Sequence, residues 1–397
     1  MSASTAEAVI CGAGIAGIAA AWHLTRAGLR DVALVEAGEP LSLTSDKSTE
    51  CYRNFWPGPG DGMVRLMNRS LDLLDGLAEA TGNPFHLNRR GYLYTTSDPQ
   101  RLTALQHAAE ESSTLGAGAL RLHPSGARAY QPEPEGEHRD GFDLIGDPAL
   151  LRRHFPYLAP DLIGALHVRR AGWFSAQQLG RLLLEQARAG GARLVRGEVQ
   201  AIAAAGDRVR AVSVASDSGS FEISTPIFVN AAGPFARRVA ALQGCDLPAE
   251  CELHVKASFG DPLGVMPRTA PLLILSDPQW LAWSEEERGA LIESGETRLL
   301  EELPSGVHAR PEGPGDSPVF LALWPYHTPI VAPVFPPRFD RGYPEVVLRG
   351  LQRLLPAVGA YVERMPRPFI DGGYYVRTRE NRPLIGPLGP AGSFVLA

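Results

Sequence analysis

Apolar residues along this chain occur in two kinds of pattern: short continuous runs and longer amphipathic stretches. Continuous runs at Ala8–Cys11 and Val32–Glu36 predict two buried strands. Residues 16–26 between them have the spacing of a helix, and Gly28 follows as a stop signal. The chain therefore opens with a predicted β-α-β unit.

Three further segments have helical periodicity. Residues 62–80 place apolar side chains three or four positions apart, and residues 99–112 begin with a proline. Residues 177–190 predict a third helix, which the pair Gly190-Gly191 ends. The first of these helices could serve an oligomer interface, although packing in the core explains its apolar face equally well.

Short strands dominate the pattern after residue 190. Runs between residues 193 and 224, separated by turn residues, predict several strands, and residues 227–231 predict another that leads into a helix at 234–242. Further along, residues 346–355 predict a helix and residues 369–376 a strand.

Two long stretches show neither periodicity. Residues 124–148 are rich in proline, glycine and charge, and residues 302–318 have a similar composition, so both are predicted to be surface loops. The sequence ends in an apolar run at Ser393–Leu396, which begins another predicted strand.

Composition sets the class of protein. The chain has 397 residues, of which 44% are apolar and 21% charged, so it can bury a sizeable core and is not disordered as a whole. Its length favours two domains. The formal net charge of −6 argues against a nucleic-acid-binding surface, which would be basic.

The cysteines and the apolar N-terminal segment bear on location. The four cysteines form no C-x-x-C pair, so reduced thiols are favoured over a disulfide framework or a zinc site. The stretch from Ala8 to Leu24 has no preceding Lys or Arg and is interrupted by glycines, so we interpret it neither as a signal peptide nor as a membrane span. A cytoplasmic protein is expected.

The strongest chemical signal is a glycine pattern. Gly12, Gly14 and Gly17 form G-x-G-x-x-G between a predicted strand and a predicted helix, the setting in which this pattern binds a dinucleotide pyrophosphate. Glu36 ends the next strand, where a carboxylate binds ribose hydroxyls and would repel a 2′-phosphate. NAD and FAD both fit this pattern, whereas NADP does not.

A second glycine-containing element lies far away in the sequence. The segment Asn230-Ala231-Ala232-Gly233 again follows an apolar strand, and its small residues permit close approach of a ligand to the backbone. If both elements serve one nucleotide site, the cofactor domain is discontinuous and contains an insertion.

With these motifs in order, the sequence resembles the FAD-dependent oxidoreductases of the D-amino-acid oxidase type, which include glycine oxidase, sarcosine oxidase and dimethylglycine dehydrogenase. The first part of the resemblance is the run from Val9 to Gly17 together with Glu36. It continues in Gly172-Trp173-Phe174-Ser175 and in Asn230-Ala231-Ala232-Gly233. Its last part is the stretch from Tyr375 to Gly386.

The resemblance implies an α/β fold, in which a Rossmann-like FAD-binding domain is interleaved with a mostly antiparallel-sheet substrate domain. The FAD-binding domain would comprise residues 1–90, 172–245 and 367–397, and the substrate domain residues 91–171 and 246–366. The FAD-binding residues implied are Gly12, Gly14, Gly17, Glu36, Ser45, Lys47, Ser48, Thr49, Val199 (through its backbone), Ala232 and Gly233.

Three departures from the family pattern change the expectations. Some relatives tether flavin through a cysteine, but Gly372-Gly373 occupies the matching place here and no histidine follows Ser48, so non-covalent FAD is predicted. No lysine lies between Phe320 and Trp324, where some relatives activate oxygen, so oxygen or another electron acceptor remains open. The family pattern continues beyond the final strand, so about 40 further residues are expected.

The implied reaction removes a hydride equivalent from a C–H next to a substrate nitrogen, so an amine or amino acid is the expected small-molecule substrate. Arg53, Arg377 and Tyr375 are the candidate substrate-site residues. The two arginines are candidates because a guanidinium can bind both oxygens of a substrate carboxylate. Arg379 and Arg382 are further candidates for that contact. Tyr326, His327 and Tyr374 are weaker pocket candidates, and His23 and His254 are interpreted as structural. No metal-ligand or nucleophile motif is present.

Two other functions stay open on the sequence alone. One is a non-catalytic flavin-binding scaffold or regulatory protein with the same fold, since a fold does not determine function. The other is an NAD-dependent dehydrogenase.

Overall fold

The computed structural model describes residues 4–126, 129–132 and 139–397. Within them the strands are β1 (Ser4–Thr5), β2 (Ala8–Cys11), β3 (Val32–Glu36), β4 (Cys51–Arg53), β5 (Tyr92–Thr96), β6 (Leu120–His123), β7 (Phe142–Ile145), β8 (Gly164–Val168), β9 (Ala171–Trp173), β10 (Ala192–Arg196), β11 (Glu198–Ala205), β12 (Arg208–Ser216), β13 (Gly219–Ser224), β14 (Phe228–Asn230), β15 (Glu250–Gly260), β16 (Leu272–Leu275), β17 (His308–Glu312), β18 (Val319–Leu323), β19 (Phe369–Arg377), β20 (Ile385–Pro387) and β21 (Ser393–Leu396).

The α-helices in the same residues are α1 (Ile15–Arg26), α2 (Thr44–Lys47), α3 (Gly62–Thr81), α4 (Pro99–Ser112), α5 (Pro148–His154), α6 (Ala176–Ala189), α7 (Ala236–Ala241), α8 (Glu285–Ser294), α9 (Tyr343–Gln352) and α10 (Gly359–Glu363). Short 3₁₀ turns occur at Gly233–Phe235, Thr297–Leu300 and Pro356–Val358, and a π turn at Ser113–Ala117.

The predicted β-α-β unit forms the centre of a six-stranded sheet in the order β10-β3-β2-β14-β21-β20. The first five strands run parallel, and β20 is antiparallel to β21. Alternate residues of β2 and β3 pack against α1 and α6 on one face and against a small sheet (β1-β13-β12-β11) on the other. This double burial explains why both strands are continuously apolar in sequence.

A nine-stranded, mostly antiparallel sheet forms the second unit, in the order β19-β15-β18-β17-β16-β5-β8-β7-β6. One face packs on the largest apolar core, to which α9 contributes Tyr343, Val346, Val347, Leu348 and Leu351. Together the two large sheets confirm the predicted α/β class with a parallel nucleotide-type sheet and an antiparallel second sheet. The C-terminal segment contributes to both, since β19 lies in the nine-stranded sheet and β21 in the six-stranded one.

Two predicted loops contain strands, and those predictions were wrong. Within residues 124–148, where 127–128 and 133–138 lie outside the described residues, β7 is fully buried between β6 and β8. Within residues 302–318, β17 pairs with β18 along its length, whereas its pairing with β16 ends at Ala309. Pro311 therefore has no partner strand on that side, and its missing N–H breaks no ladder hydrogen bond. Local composition did not reveal either strand because their neighbours in the sheet supply the burial.

Two properties of the described residues concern location and redox state. Nowhere in them does a helix combine the length and the apolarity that a bilayer crossing needs. All four cysteines are free thiols.

Candidate functional site

The G-x-G-x-x-G turn packs three backbone segments so closely that side chains are excluded. Gly12 has φ +104°, and a Cβ there would lie 2.4 Å from the carbonyl oxygen of Ala231. A Cβ on Gly17 would lie 1.9 Å from the carbonyl oxygen of Gly12. The turn can therefore approach β14 and α1 only with glycine at these two positions.

Glu36 lies beside the turn, at the carboxyl end of β3. Its Oε2 accepts a hydrogen bond from Ala13 N at 2.7 Å, and its Oε1 accepts one from Gly38 N at 2.8 Å. The Glu36 carbonyl accepts from Gly197 N at 2.9 Å, which brings the start of β11 to the acid. Val199, two residues further on, is buried against the parallel sheet.

A cavity of about 70 Å³ opens over this turn, and we call it the glycine-loop cavity. Ser45 of α2 reaches into it, and its Oγ accepts a hydrogen bond from Ile15 N at 2.9 Å, at the start of α1. The cavity is lined by Gly12, Gly14, Glu36, Glu39, Leu41, Ser42, Leu43, Thr44, Ser45, Ala231, Ala232, Gly233 and Pro234.

A second cavity, of about 180 Å³, lies between α2 and the nine-stranded sheet, and we call it the interface cavity. Thr44 lines both cavities, so the two adjoin at α2. The interface cavity is lined by Thr44, Lys47, Ser48, Thr49, His254, Val255, Lys256, His308, Leu323, Pro325, Gly373, Tyr374 and Tyr375.

Contacts between α2 and β19 hold the two walls of the interface cavity together. Thr44 Oγ1 donates to the carbonyl of Tyr374 at 3.3 Å. Lys47 Nζ lies 2.6 Å from Asp46 Oδ2 and 3.4 Å from Asp371 Oδ1. Burial would lower the pKa of Lys47, but these carboxylates raise it, so the ammonium group stays charged.

The loop after α2 is bound by two cations of the nine-stranded sheet. Lys256 Nζ donates to the carbonyl of Ser48 at 3.0 Å, and Arg310 Nη2 donates to the carbonyl of Thr49 at 2.9 Å. Burial lowers the pKa of Lys256, and no carboxylate within the described residues lies at ion-pair distance from its nitrogen. The next residue, Glu50, has φ +60° and accepts from Ala176 N at 2.8 Å.

The floor of the interface cavity is set by strand register. One cross-strand row runs from β5 to β19 through Tyr94, Ile274, His308, Leu323, Lys256 and Asp371. Along β15, residues two apart share a face, so Glu252 and His254 lie on the same side as Lys256. Polar and charged groups from several strands therefore converge on one surface facing α2.

Arg53 lies at the edge of this surface, at the end of β4. Its Nε donates to the carbonyl of Phe55 at 3.3 Å, and its guanidinium carbon lies 4.5 Å from the ring centre of Trp56. Burial would lower the pKa of Arg53, whereas the nearby phenol groups of Tyr94, Tyr92 and Tyr375 raise it. Across the described chain no carboxylate forms an ion pair with Arg53.

The other predicted substrate residues lie on β19 or in the segment that follows it. Tyr375 lines the interface cavity, and its ring centre is 5.1 Å from that of His254. Arg377 instead lines a neighbouring open cleft of about 490 Å³, where Nη1 lies 3.0 Å from Glu252 Oε1. Arg379 lines the same cleft. Arg382 donates to the carbonyl of Gly58 at 3.3 Å.

Sequence reasoning missed the titratable residues that β15 and β17 bring to the interface cavity, namely His254, Lys256 and His308. On the sequence alone, His254 is interpreted as structural and His308 lies in a predicted loop. The alternation Glu252, His254, Lys256 in the sequence was a usable signal, because polar residues two apart predict one polar strand face. No group of three or more His, Cys, Asp or Glu side chains among the described residues is arranged to hold a metal.

The comparison with known families agrees with this geometry. The family model for FAD dependent oxidoreductases, abbreviated DAO, matches residues 7–397. The chain belongs to the FAD-dependent oxidoreductase family. FAD is the cofactor of this family, and the family acts on amino acids and amines.

Individual relatives of this FAD-dependent oxidoreductase are distant. The chain is 24% identical over 298 residues to human mitochondrial dimethylglycine dehydrogenase, a match that covers 72% of this chain and 30% of that protein. It is 25% identical over 261 residues to mouse mitochondrial sarcosine dehydrogenase, covering 63% of this chain and 25% of that protein. The chain thus spans less than a third of the length of these curated relatives.

Solved structures show the same fold over nearly the whole chain. L-proline dehydrogenase from P. horikoshii superposes with a TM-score of 0.73 at 18% identity, covering 100% of this chain and 88% of that one. Glycine oxidase from Geobacillus kaustophilus gives a TM-score of 0.72 at 18% identity, covering 99% of this chain and 89% of that one.

The two cavities fit FAD on their own geometry. The glycine-loop cavity offers backbone without side chains at Gly12 and Gly14, beside the carboxylate of Glu36. The start of α1 points its partial positive charge at the same place, as a pyrophosphate requires. The adjoining interface cavity offers a larger, partly apolar space for a ring system.

Proposed function

We propose that this flavoprotein oxidises a C–N bond of an amino acid or of a secondary or tertiary amine bearing a carboxylate. The observation that supports this most directly is Arg53, a partly buried cation within electrostatic range of the cavity-lining residues Tyr375 and His308 and without a carboxylate partner among the described residues. A guanidinium withdrawn from water is stabilised when an anion pairs with it, and a substrate carboxylate has the matching two-oxygen shape.

FAD would lie across both cavities. Gly12, Gly14 and Gly17 would bind the pyrophosphate, Glu36 the adenosine ribose and the backbone of Val199 the adenine. Ser45, Lys47, Ser48 and Thr49 would follow the cofactor towards the flavin, and Ala232-Gly233 would lie against it. The division into FAD-binding segments 1–90, 172–245 and 367–397 and substrate-binding segments 91–171 and 246–366 is part of this proposal.

When bound, FAD would supply the hydride acceptor for oxidation of the C–H beside the substrate nitrogen, and water would hydrolyse the imine product. The residues of this chain would orient the substrate for that step. Arg53 would fix the carboxylate, and Tyr375 would form the wall next to it. Arg377 would act through Glu252, the carboxylate with which it is paired.

We propose that FAD is held without a covalent bond. The lining of the interface cavity contains no cysteine, and Gly373 occupies the part of β19 that faces α2. Denaturation of the purified yellow protein should therefore release all the flavin into the filtrate. Flavin that stays with the denatured chain would contradict this part of the proposal.

The test of the reaction compares two tertiary amines that differ in the carboxylate, N,N-dimethylglycine and trimethylamine. Under nitrogen, only dimethylglycine should bleach the flavin absorption of the wild type at millimolar concentrations. Arg53→Met should raise the substrate concentration for half-maximal reduction by about 10- to 100-fold, the effect of a lost charged hydrogen-bonded pair. Arg53→Lys should lose less, and the exposed Arg65→Met should behave as wild type.

The outcomes separate the alternatives. A protein that stays colourless after FAD is added contradicts the cofactor part of the proposal. A yellow protein that no amino acid or amine reduces supports a flavin-binding scaffold instead of an enzyme. Equal reduction by both amines would contradict the role of Arg53 while leaving amine oxidation in place.

A further inference from the structure

His254 is held by a carboxylate that is itself held by a cation. His254 Nε2 lies 3.2 Å from Glu252 Oε2, and the other carboxylate oxygen of Glu252 lies 3.0 Å from Arg377 Nη1. The side chain of Glu252 is only 12% exposed, and that of His254 is 33% exposed where it lines the interface cavity. Arg377, Glu252 and His254, on two adjacent strands, thus form a continuous series of polar contacts from the open cleft to the interface cavity.

This arrangement sets the tautomer of the imidazole. The carboxylate of Glu252 is paired with Arg377, and a carboxylate accepts hydrogen bonds and donates none. His254 therefore carries its proton on Nε2, which leaves the lone pair on Nδ1. No described group is hydrogen-bonded to Nδ1.

The substrate chemistry needs such a group. An alkylammonium group, like that of lysine, loses its proton near pH ~10, so an amine substrate arrives protonated at neutral pH. Hydride can leave the neighbouring C–H readily only when the nitrogen has a free electron pair. A proton acceptor in the wall of the cavity would allow the reaction at neutral pH.

We propose that His254 is a catalytic residue that accepts the ammonium proton of the substrate at Nδ1, with Glu252 and Arg377 as positioning residues. This inference rests on the proposed function. The N–H bond of the ammonium group breaks, the new N–H bond forms at Nδ1, and the imidazolium is stabilised by Glu252. After the oxidised product leaves, Nδ1 releases the proton to water.

The site has several other charged and titratable groups that affect its pH dependence. Around His254 they are Glu252 and Lys256 of its own strand, Asp371, Tyr375 and Arg377 of β19, His308 of β17, Lys47 of α2, and Arg53 of β4. The decisive variants therefore change His254 and its two partners one at a time and leave the others in place.

The test measures the rate of flavin reduction by saturating N,N-dimethylglycine under nitrogen, from pH 6 to pH 10. His254→Gln should lower the rate at pH 7 by about 10²- to 10⁴-fold, the usual contribution of a general base. The rate should recover towards the wild-type value near pH ~10, where the substrate loses its proton without help. Glu252→Gln should lower the pH 7 rate by about 10- to 100-fold with the same recovery. Arg377→Met should have a smaller effect, and the exposed His107→Gln none.

A second measurement needs neither substrate nor turnover. In ¹⁵N-histidine NMR of the wild-type protein, the resonances lost in His254→Gln should have the shifts of the Nε2–H tautomer, and Glu252→Gln should change them. If His254→Gln fails to fold, the resonances that change in Glu252→Gln identify His254, and the Nδ1–H tautomer there would overturn the proposal. A His254→Gln pH profile parallel to wild type would also overturn it. If no amine reduces the wild-type flavin, the proposed function fails and this inference fails with it.

Discussion

Gly373 of β19 lies against Lys47 of α2, so closely that a Cβ on Gly373 would stand 2.9 Å from the Cβ of Lys47. The same Cβ would stand 3.4 Å from Thr44 Cα. The short helix α2, which bears Ser45 and Lys47, therefore packs directly against the backbone of β19 at Gly373, where there is no side chain. This contact joins the glycine-loop cavity to the interface cavity.

Gly373→Val should displace α2 and weaken FAD binding. Overpacking at such a contact costs about 1–3 kcal/mol, so the dissociation constant of FAD should rise about 10- to 100-fold. Titration of the apoprotein with FAD, followed by quenching of flavin fluorescence, measures it. Gly260→Ala, at a position of β15 with nothing within 4 Å of the added Cβ, is the matched control. Unchanged affinity in Gly373→Val would show that α2 is free to shift.

Gly17→Ala should abolish tight FAD binding, because the added methyl group would collide with the carbonyl of Gly12 at 1.9 Å. Backbone atoms cannot move aside as the end of a flexible side chain can, so the turn must open. The flavin content of the purified protein and its thermal unfolding temperature should both fall. The control is Gly76→Ala in the exposed part of α3, where alanine should stabilise the helix by up to about 1 kcal/mol.

Lys256→Met should loosen the loop that leads to Arg53, because Lys256 binds the carbonyl of Ser48. We expect acetate, used as a carboxylate ligand, to bind about 10- to 150-fold more weakly, the effect of one lost hydrogen bond from a charged donor. The visible difference spectrum of the flavin reports this binding. Lys256→Arg keeps the charge and the donors and should restore most of the affinity. Equal losses in both variants would point to general disruption of the sheet instead.

Asp143 should make folding stability sensitive to acid. Burial would raise the pKa of Asp143, but hydrogen bonds from Arg121 and the charge of Arg169 hold it well below its usual value. Since the folded-state pKa is depressed, the stabilisation is present above the unfolded pKa of ~3.9 and is lost as the pH falls below it. The free energy of unfolding should therefore fall steeply below pH ~4.

Asp143→Asn separates this contribution from the rest of the protein. At pH 7 it should cost about 3–5 kcal/mol, because the buried Arg169 and the partly buried Arg121 lose their carboxylate. Its acid dependence should be shallower than that of the wild type in urea unfolding between pH 7 and pH 3. Asp161→Asn, which breaks an exposed pair with Arg353 at 3.0 Å, should cost at most about 1 kcal/mol. Parallel curves for wild type and Asp143→Asn would contradict the assignment.

The sequence determined the nucleotide half of this protein. Gly12, Gly17 and Glu36 lie close together along the chain. At the two glycines the demand is steric and local, because backbone packs against backbone and no side chain fits. The apolar runs of β2 and β3 are equally local, since a strand covered on both faces must be apolar throughout. Such features are legible without knowing what else the chain does.

Only the tertiary structure decided the composition of the interface cavity. His254, Lys256 and His308 lie on two strands more than 50 residues apart, and they converge because the register of the nine-stranded sheet aligns them. Likewise Arg377 of β19, which in sequence belongs to an arginine-rich motif, forms an ion pair with Glu252 of the neighbouring strand β15. A pattern along the chain encodes which face a side chain takes, but the partner opposite it depends on strand order and register, and these are set by long-range packing.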